Sequence, residues 1–164
     1  MVFGLFARKQ PIKVVAPVKG EVKPIGETPD LVFAEKMMGD GFCVFPEVTS
    51  AARVVSPVDG EVVNLFPTGH AVGIRTAVGL EVLVHVGIDT VKLQGRGFRI
   101  LTAQGAKVSA GQPLLEVDLA AIQGDVPSLA TPVVYTNLEE KQTWRLERQG
   151  PVDAGDPVAT VNAR

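Results

Sequence analysis

The sequence predicts an all-β fold, an antiparallel sandwich or barrel assembled from two similar halves, with short helical excursions. Three observations lead there. Apolar stretches of four to seven residues rich in Val, Ile and Phe alternate with Pro, Gly and Asp at close intervals, the punctuation of short strands and tight turns. Ala16-Pro-Val-Lys-Gly-Glu-Val22 matches Ser56-Pro-Val-Asp-Gly-Glu-Val62 at five of seven positions. Val108-Ser-Ala-Gly-Gln-Pro-Leu114 is echoed by Val152-Asp-Ala-Gly-Asp-Pro-Val158, each with Gly where the chain needs positive φ and Pro just after.

The elements follow in order. Met1 to Gln10 has a short apolar run followed by Arg8 and Lys9, the reverse of a secretory signal and far too short to cross a membrane, so a frayed, solvated terminus is expected and no membrane insertion. Leu31 to Met38, LVFAEKMM, has helical character and is stopped by Gly39; a second short helical turn is expected around Leu138 to Lys141. The repeated "PVxGEV" and "GxxVxxGxPL" phrases resemble those of lipoyl and biotinyl carrier domains, which implies a sandwich or barrel of two such half-motifs. The lysine hairpin of those carriers is missing: Lys36-Met37-Met38 is the nearest match and sits in the helical segment.

With 164 residues, 46% of them apolar, one compact domain with a sizeable core is expected. A formal charge of −2, a pI near 5.7 and few aromatic residues argue against nucleic-acid binding. Cys43 is the only cysteine, so an intramolecular disulfide and a Cys-based zinc site are excluded, and a reducing cytoplasm suits the chain.

Chemistry must sit in residues 65 to 98, which hold both histidines, His70 and His85, each in an apolar, strand-like setting. No nucleophile with an adjacent base, glycine-rich phosphate loop or cluster of metal-ligand types occurs elsewhere. In Glu81-Val-Leu-Val-His-Val-Gly-Ile88, alternation puts Val82, Val84, Val86 and Ile88 on a core face and Glu81, Leu83 and His85 on an outward face. If Ala77-Val-Gly79 forms the turn of a hairpin centred on Val78, position 70 lies opposite 86, one step from His85, and the imidazoles can meet. Two adjacent neutral imidazoles can hold a metal, relay protons, or divide the work of carrying a phosphoryl group. His85-Val-Gly-Ile-Asp89 has the HxxxD spacing of some zinc peptidases, but the H-x-H pair such sites need is absent, so a catalytic metal is not expected.

The residues also carry a specific resemblance. Pro29-Asp-Leu-Val-Phe-Ala-Glu-Lys-Met-Met-Gly-Asp-Gly41, Ser56-Pro-Val-Asp-Gly60, Thr68-Gly-His70, His85-Val-Gly-Ile-Asp-Thr-Val91, Gly95-Arg-Gly-Phe98 and Thr131-Pro-Val-Val134 resemble, in order, the glucose-type IIA component of the bacterial phosphoenolpyruvate:sugar phosphotransferase system. The resemblance implies a flexible tail over residues 1–13, then a single IIA domain over 14–164. It implies a cytoplasmic phosphocarrier that takes a phosphoryl group from HPr onto the tele nitrogen of His85 and passes it to the IIB domain of a glucose-type permease, with no cofactor. His70 would hydrogen-bond the phosphoryl oxygens and Thr68 would orient His70. Asp30 and Asp89 would flank the site, and Leu31, Val32, Phe33, Met37, Met38, Phe66, Leu83, Val86 and Val91 would supply an apolar docking rim. Gly69 replaces an Asn common before the first histidine, and Leu83 a common Phe. Relatives also regulate transporters, glycerol kinase or adenylate cyclase, in one case with zinc between the histidine pair and a partner carboxylate. The alternative reading is therefore a regulatory binding module that uses His70 and His85 for recognition or metal bridging.

Overall fold

The computed structural model describes residues 10–162. Its strands are β1 (Ile12–Val15), β2 (Gly20–Pro24), β3 (Asp40–Pro46), β4 (Ala52–Val55), β5 (Gly60–Leu65), β6 (Ala71–Arg75), β7 (Glu81–His85), β8 (Phe98–Ile100), β9 (Lys107–Val108), β10 (Pro113–Val117), β11 (Thr131–Tyr135), β12 (Thr143–Leu146), β13 (Gly150–Val152) and β14 (Pro157–Asn162). They form one sheet in the order β13-β2-β3-β11-β7-β6-β5-β9 and two three-stranded sheets, β1-β14-β12 and β4-β10-β8. Every pairing between strands is antiparallel. The long sheet ends at β13 and β9 without joining them, so the barrel alternative is not realised.

The order of the long sheet reads alike from both ends, and the sequence repeats explain why. Contiguous strands β4 to β10 make one unit; β1 to β3 followed by β11 to β14 make a second, so the first is nested within the second between β3 and β11. The two units clasp each other through the repeated phrases. Val15 N–H donates to the Pro57 carbonyl at 2.8 Å, and Val55 N–H to the Pro17 carbonyl at 2.7 Å. Each phrase also holds its own unit's second turn: Ala16 and Asp156 are joined as Ser56 and Gln112 are, both at 2.8 Å. The shared glycine has a steric origin. A Cβ on Gly20 would collide with the Phe45 carbonyl, and one on Gly60 with that of Arg75.

One cluster of buried apolar side chains runs from Val14 to Val161 and takes Val22, Phe42 and Val158 from the outer unit and Val62, Ile74 and Leu114 from the nested one. Full burial of such a side chain contributes about 1.5–3 kcal/mol, so this layer between the sheets holds the units together. A second, smaller cluster of Ile25, Phe33, Ala71, Leu83, Ile88 and Val134 lies on the other face of the long sheet, under the excursion between β2 and β3.

Several expectations need correction. Residues 1–9 of the expected tail lie outside the described residues, but Ile12 and Lys13 are paired strand, opposite Val161 and Thr160. The helix over Leu31 to Met38 stops at Ala34, because Lys36 takes a left-handed φ of 62° and its N–H turns back to the Phe33 carbonyl. Leu138 to Lys141 is a turn closed by Gln142 N–H on the Glu139 carbonyl, with no helix. A helix that was not expected, Leu119–Ile122, is capped by Asp118, whose carboxylate accepts the Ala121 N–H at 2.9 Å.

Candidate functional site

Strands β6 and β7 form a hairpin whose turn is closed by Thr76 N–H on the Leu80 carbonyl, with Gly79 at φ +90°. Ala71 faces His85 and Arg75 faces Glu81, the register centred on Val78 that the turn residues predict. Val86 N–H donates to the His70 carbonyl at 2.7 Å, so position 70 does lie opposite 86. An unbroken pleat would send side chains 70 and 85 to opposite faces. The turn at Phe66–Gly69 takes His70 out of the pleat: Gly69 N–H donates to the Phe66 carbonyl and Gly69 has φ +76°. The two imidazoles then meet with centroids 5.2 Å apart and planes at 79°. Gly69 in place of Asn therefore changes little, since both residues accept the left-handed conformation.

The nitrogens are differentiated by their partners. Nδ1 of His85 lies 2.8 Å from the Gly87 carbonyl oxygen. A carbonyl only accepts, so Nδ1 carries the proton and Nε2 keeps its lone pair. Nδ1 of His70 lies 2.5 Å from Thr68 Oγ1. Burial lowers the pKa of His70 to about 4, with the neighbouring His85 acting in the same direction. Burial also lowers the pKa of half-buried His85, and the Gly87 carbonyl, Asp30 and Asp89 oppose that shift. Both rings are therefore neutral at pH 7, and His85 presents an unprotonated nitrogen beside a second imidazole. A metal would find only these two ligands here: among the described residues no group of three His, Cys, Asp or Glu side chains converges.

Residues 12–141 match the family model described as phosphoenolpyruvate-dependent sugar phosphotransferase system, EIIA 1. The chain belongs to this family. It is 47% identical over 148 residues to the glucose-specific EIICBA component of the phosphotransferase system of Staphylococcus carnosus (strain TM300), a match that takes in 90% of this chain but 21% of that protein. The chain thus spans about a fifth of the length of the curated relative it matches. Its fold is that of the glucose permease IIA from Mycoplasma capricolum, with a TM-score of 0.86 and 41% identity over 93% of this chain and 96% of that one.

The residues expected to rim the EIIA site fall into two groups. Leu31 (72% exposed), Met37 (70%), Val91 (52%), Val32, Met38 and Phe66 are exposed apolar side chains. Phe33, Leu83 and Val86 do not belong to it: they are 6%, 8% and 2% exposed. The one-turn helix Leu31–Ala34 points Phe33 inward, where its ring lies 5.1 Å from that of His85. Leu83 is on the face predicted for it, but Ile25 and Phe33 cover that face. Val86 joins the main core, as strand alternation alone placed it. Ile88, expected in that core, packs instead in the smaller cluster, because the strand ends at His85 and Gly87 turns the chain at φ +74°.

Of the flanking carboxylates, Asp30 is half-buried at the start of the short helix, and exposed Asp89 has φ 59° and pairs with Lys92 at 3.7 Å. Glu81, on the His85 face, is engaged by Arg75 at 3.3 Å. The sequence reading overlooked Gly87, whose carbonyl decides which His85 nitrogen is free. A glycine two positions after a strand-end histidine was the available signal.

Proposed function

We propose that this chain is a cytoplasmic phosphohistidine carrier of a glucose-type sugar phosphotransferase system, which accepts a phosphoryl group from phospho-HPr and passes it to a permease IIB domain. The observation that carries the reading is the free Nε2 of neutral His85, its Nδ1–H engaged by the Gly87 carbonyl and His70 at its side. In the accepting step Nε2 supplies the electron pair for the new N–P bond. The donor's N–P bond breaks, and its electron pair stays on the donor nitrogen. No proton has to move: Nδ1–H remains on the Gly87 carbonyl, which steadies the positive character the phosphorylated ring acquires. A threonine O–H given to His70 Nδ1 leaves Nε2–H of His70 as the donor to the phosphoryl oxygens, so Thr68 fixes the useful tautomer. Catalysis is mainly alignment between two docked proteins, without a nucleotide cradle or a cofactor.

The exposed apolar residues Leu31, Val32, Met37, Met38, Phe66 and Val91 form the docking surface, a composition suited to short-lived partners. Asp30 and Asp89 at its margin favour cationic groups on those partners. The glucose-specific name of the S. carnosus relative supports a glucose-type permease as the recipient.

Incubation with phosphoenolpyruvate, enzyme I and HPr, followed by intact mass and phosphorus NMR, tests this. Wild type should gain one acid-labile phosphoryl group and His85→Ala none, while His70→Ala should accept the group and pass it on poorly. No phosphorylation of folded wild type by competent donors would overturn the carrier reading in favour of a regulatory module in which His70 and His85 serve recognition, or bridge zinc to a partner's carboxylate.

A further inference from the structure

We infer that Phe33 is a positioning residue for His85, and that it carries the effect of docking on the Leu31–Ala34 helix to the nucleophile; this rests on the phosphocarrier reading. Four rings form a chain through the site: Phe33 to His85 at 5.1 Å, His85 to His70 at 5.2 Å, and His70 to Phe66 at 5.2 Å. Phe66 is exposed at one end, whereas Phe33 is buried at the other. The hydrogen bond to Gly87 fixes one atom of the His85 ring but leaves the ring free to pivot about it. The plane is set by what lies on either side, His70 and Phe33, in tilted and edge geometries that aromatic rings prefer.

Phe33 is itself held on two sides. Inward it packs with Ile25, Ala71, Leu83, Ile88 and Val134. Outward it shares one hydrogen-bonded turn with Leu31 and Val32: Ala34 N–H donates to the Asp30 carbonyl, Glu35 N–H to Leu31, Lys36 N–H to Phe33 and Met37 N–H to Val32, all at 2.9–3.0 Å. Leu31 and Val32 are exposed and Phe33 buried, so the turn presents its docking residues on one side and the support of His85 on the other. A shift of this turn on docking has to move Phe33 against His85. Asp30 begins the same turn and, with Asp89 and His70, is one of the charged or titratable groups acting on His85. In reactions governed by alignment, a misplacement of about 1 Å costs up to roughly a hundredfold in rate, so the support of one ring is worth measuring.

The test compares Phe33→Leu, Phe33→Tyr and Leu31→Ala by steady-state transfer from phospho-HPr and by nitrogen NMR of the His85 ring. Phe33→Leu keeps an apolar side chain in the cluster but removes the ring. It should lower kcat roughly tenfold with KM little changed, mix the two His85 tautomers, and raise the midpoint of the His85 titration as water gains access. Phe33→Tyr, which keeps the ring, should restore most of kcat and the single tautomer. Leu31→Ala should raise KM. An unaltered kcat and His85 spectrum in Phe33→Leu, or a rise in KM alone as for Leu31→Ala, would overturn the inference. Should wild type prove unable to accept a phosphoryl group, the carrier reading fails, while the tautomer and titration of His85 still decide whether Phe33 positions its ring.

Discussion

The nested and outer units share a framework but not a function, and the comparison locates what makes a symmetric scaffold chemically one-sided. β7 and β11 are equivalent, as are β6 and β3; with Glu61 matched to Glu21 by the repeat, the cross-strand pair Ala71–His85 of the nested unit corresponds to Gly41–Val134 of the outer one. The residues after β7 supply the Gly87 carbonyl to His85. Those after β11 have become a staple, with Asn137 accepting Glu81 N–H at 2.7 Å and donating to the Gly79 carbonyl at 2.8 Å. The excursions differ as well. Between β5 and β6 a short turn delivers His70; between β2 and β3 a longer segment crosses to the nested unit's histidines and brings Phe33 to His85. The candidate site is therefore asymmetric because one unit contributes the imidazoles and the other contributes their cover.

If the framework is common property, equivalent core positions should cost stability without touching the chemistry. Leu114 and Val158 occupy matching places in β10 and β14, and both are fully buried. Leu114→Ala should lose about 2–5 kcal/mol and Val158→Ala about 1–3 kcal/mol in urea unfolding, while each variant, where folded, still gains one phosphoryl group. A loss of His85 phosphorylation in folded Val158→Ala would show that the outer unit's core, and not only its excursion, shapes the site.

The histidines make the nested unit sensitive to acid. An unfolded chain binds a proton on histidine near pH 6.5, whereas folded His70 does so only near 4. Across that window the unfolded state holds more protons, so this group's contribution makes stability fall as pH drops from about 6.5 towards 4 and leaves it flat above. Burial of His85 acts in the same direction. Relative to His70→Gln, wild type should lose on the order of 3 kcal/mol between pH 8 and pH 4. Parallel pH profiles of the two proteins would place the acid sensitivity elsewhere.

Legibility in the sequence followed distance along the chain. The hairpin register about Val78 was readable because turn and strands are contiguous, and the repeats were readable because the first keeps glycines, Gly20 and Gly60, that face a neighbouring carbonyl, and the second keeps glycines, Gly111 and Gly155, at positive φ. That Ile12 is strand depends on Val161 at the other end of the chain, and no local pattern reports it. The exposure of the Leu83 face also lay outside local reach. Alternation tells which side a residue takes, but whether that side meets water depends on the segment laid over it, here Ile25 and Phe33. Family likeness had the converse weakness: it grouped Phe33, Leu83 and Val86 with exposed residues, and only packing separates support from surface.

Gly87 is where the nested unit departs from its counterpart, since the chain leaving β11 runs instead into the staple made by Asn137. A Cβ at Gly87 would come within 2.5 Å of Thr90 Cγ2 and 3.3 Å of the Ser128 carbonyl, at a φ of +74° that L side chains resist. Gly87→Ala should cost about 1–2 kcal/mol in stability and, by shifting the carbonyl that fixes the His85 proton, slow phosphoryl acceptance measurably more than Leu114→Ala does. Equal acceptance rates in the two variants would mean that the ring contacts alone hold the tautomer.

The smallest effect is expected at Tyr135, which follows the outer unit's counterpart of His85 and faces the main core instead, and its sign is the informative part. Tyr135 is 1% exposed, and its hydroxyl has no hydrogen-bond partner among the described residues. Nearby Asp40 is already engaged: its carboxylate accepts from Trp144 Nε1–H at 3.0 Å and Gly41 N–H at 2.8 Å and pairs with Lys36 at 3.5 Å. Burial, with Asp40 adding to it, raises the Tyr135 pKa, so the phenol stays protonated and the hydroxyl is a polar group buried without compensation. Its ring packs edge-on against Trp144 at 5.1 Å, a contact phenylalanine would keep. Tyr135→Phe should therefore gain up to about 1 kcal/mol in urea unfolding and leave His85 phosphorylation as it was. A loss of stability would show that the hydroxyl is satisfied in solution, and that the outer unit holds a working polar contact in its core beside the position equivalent to the nucleophile.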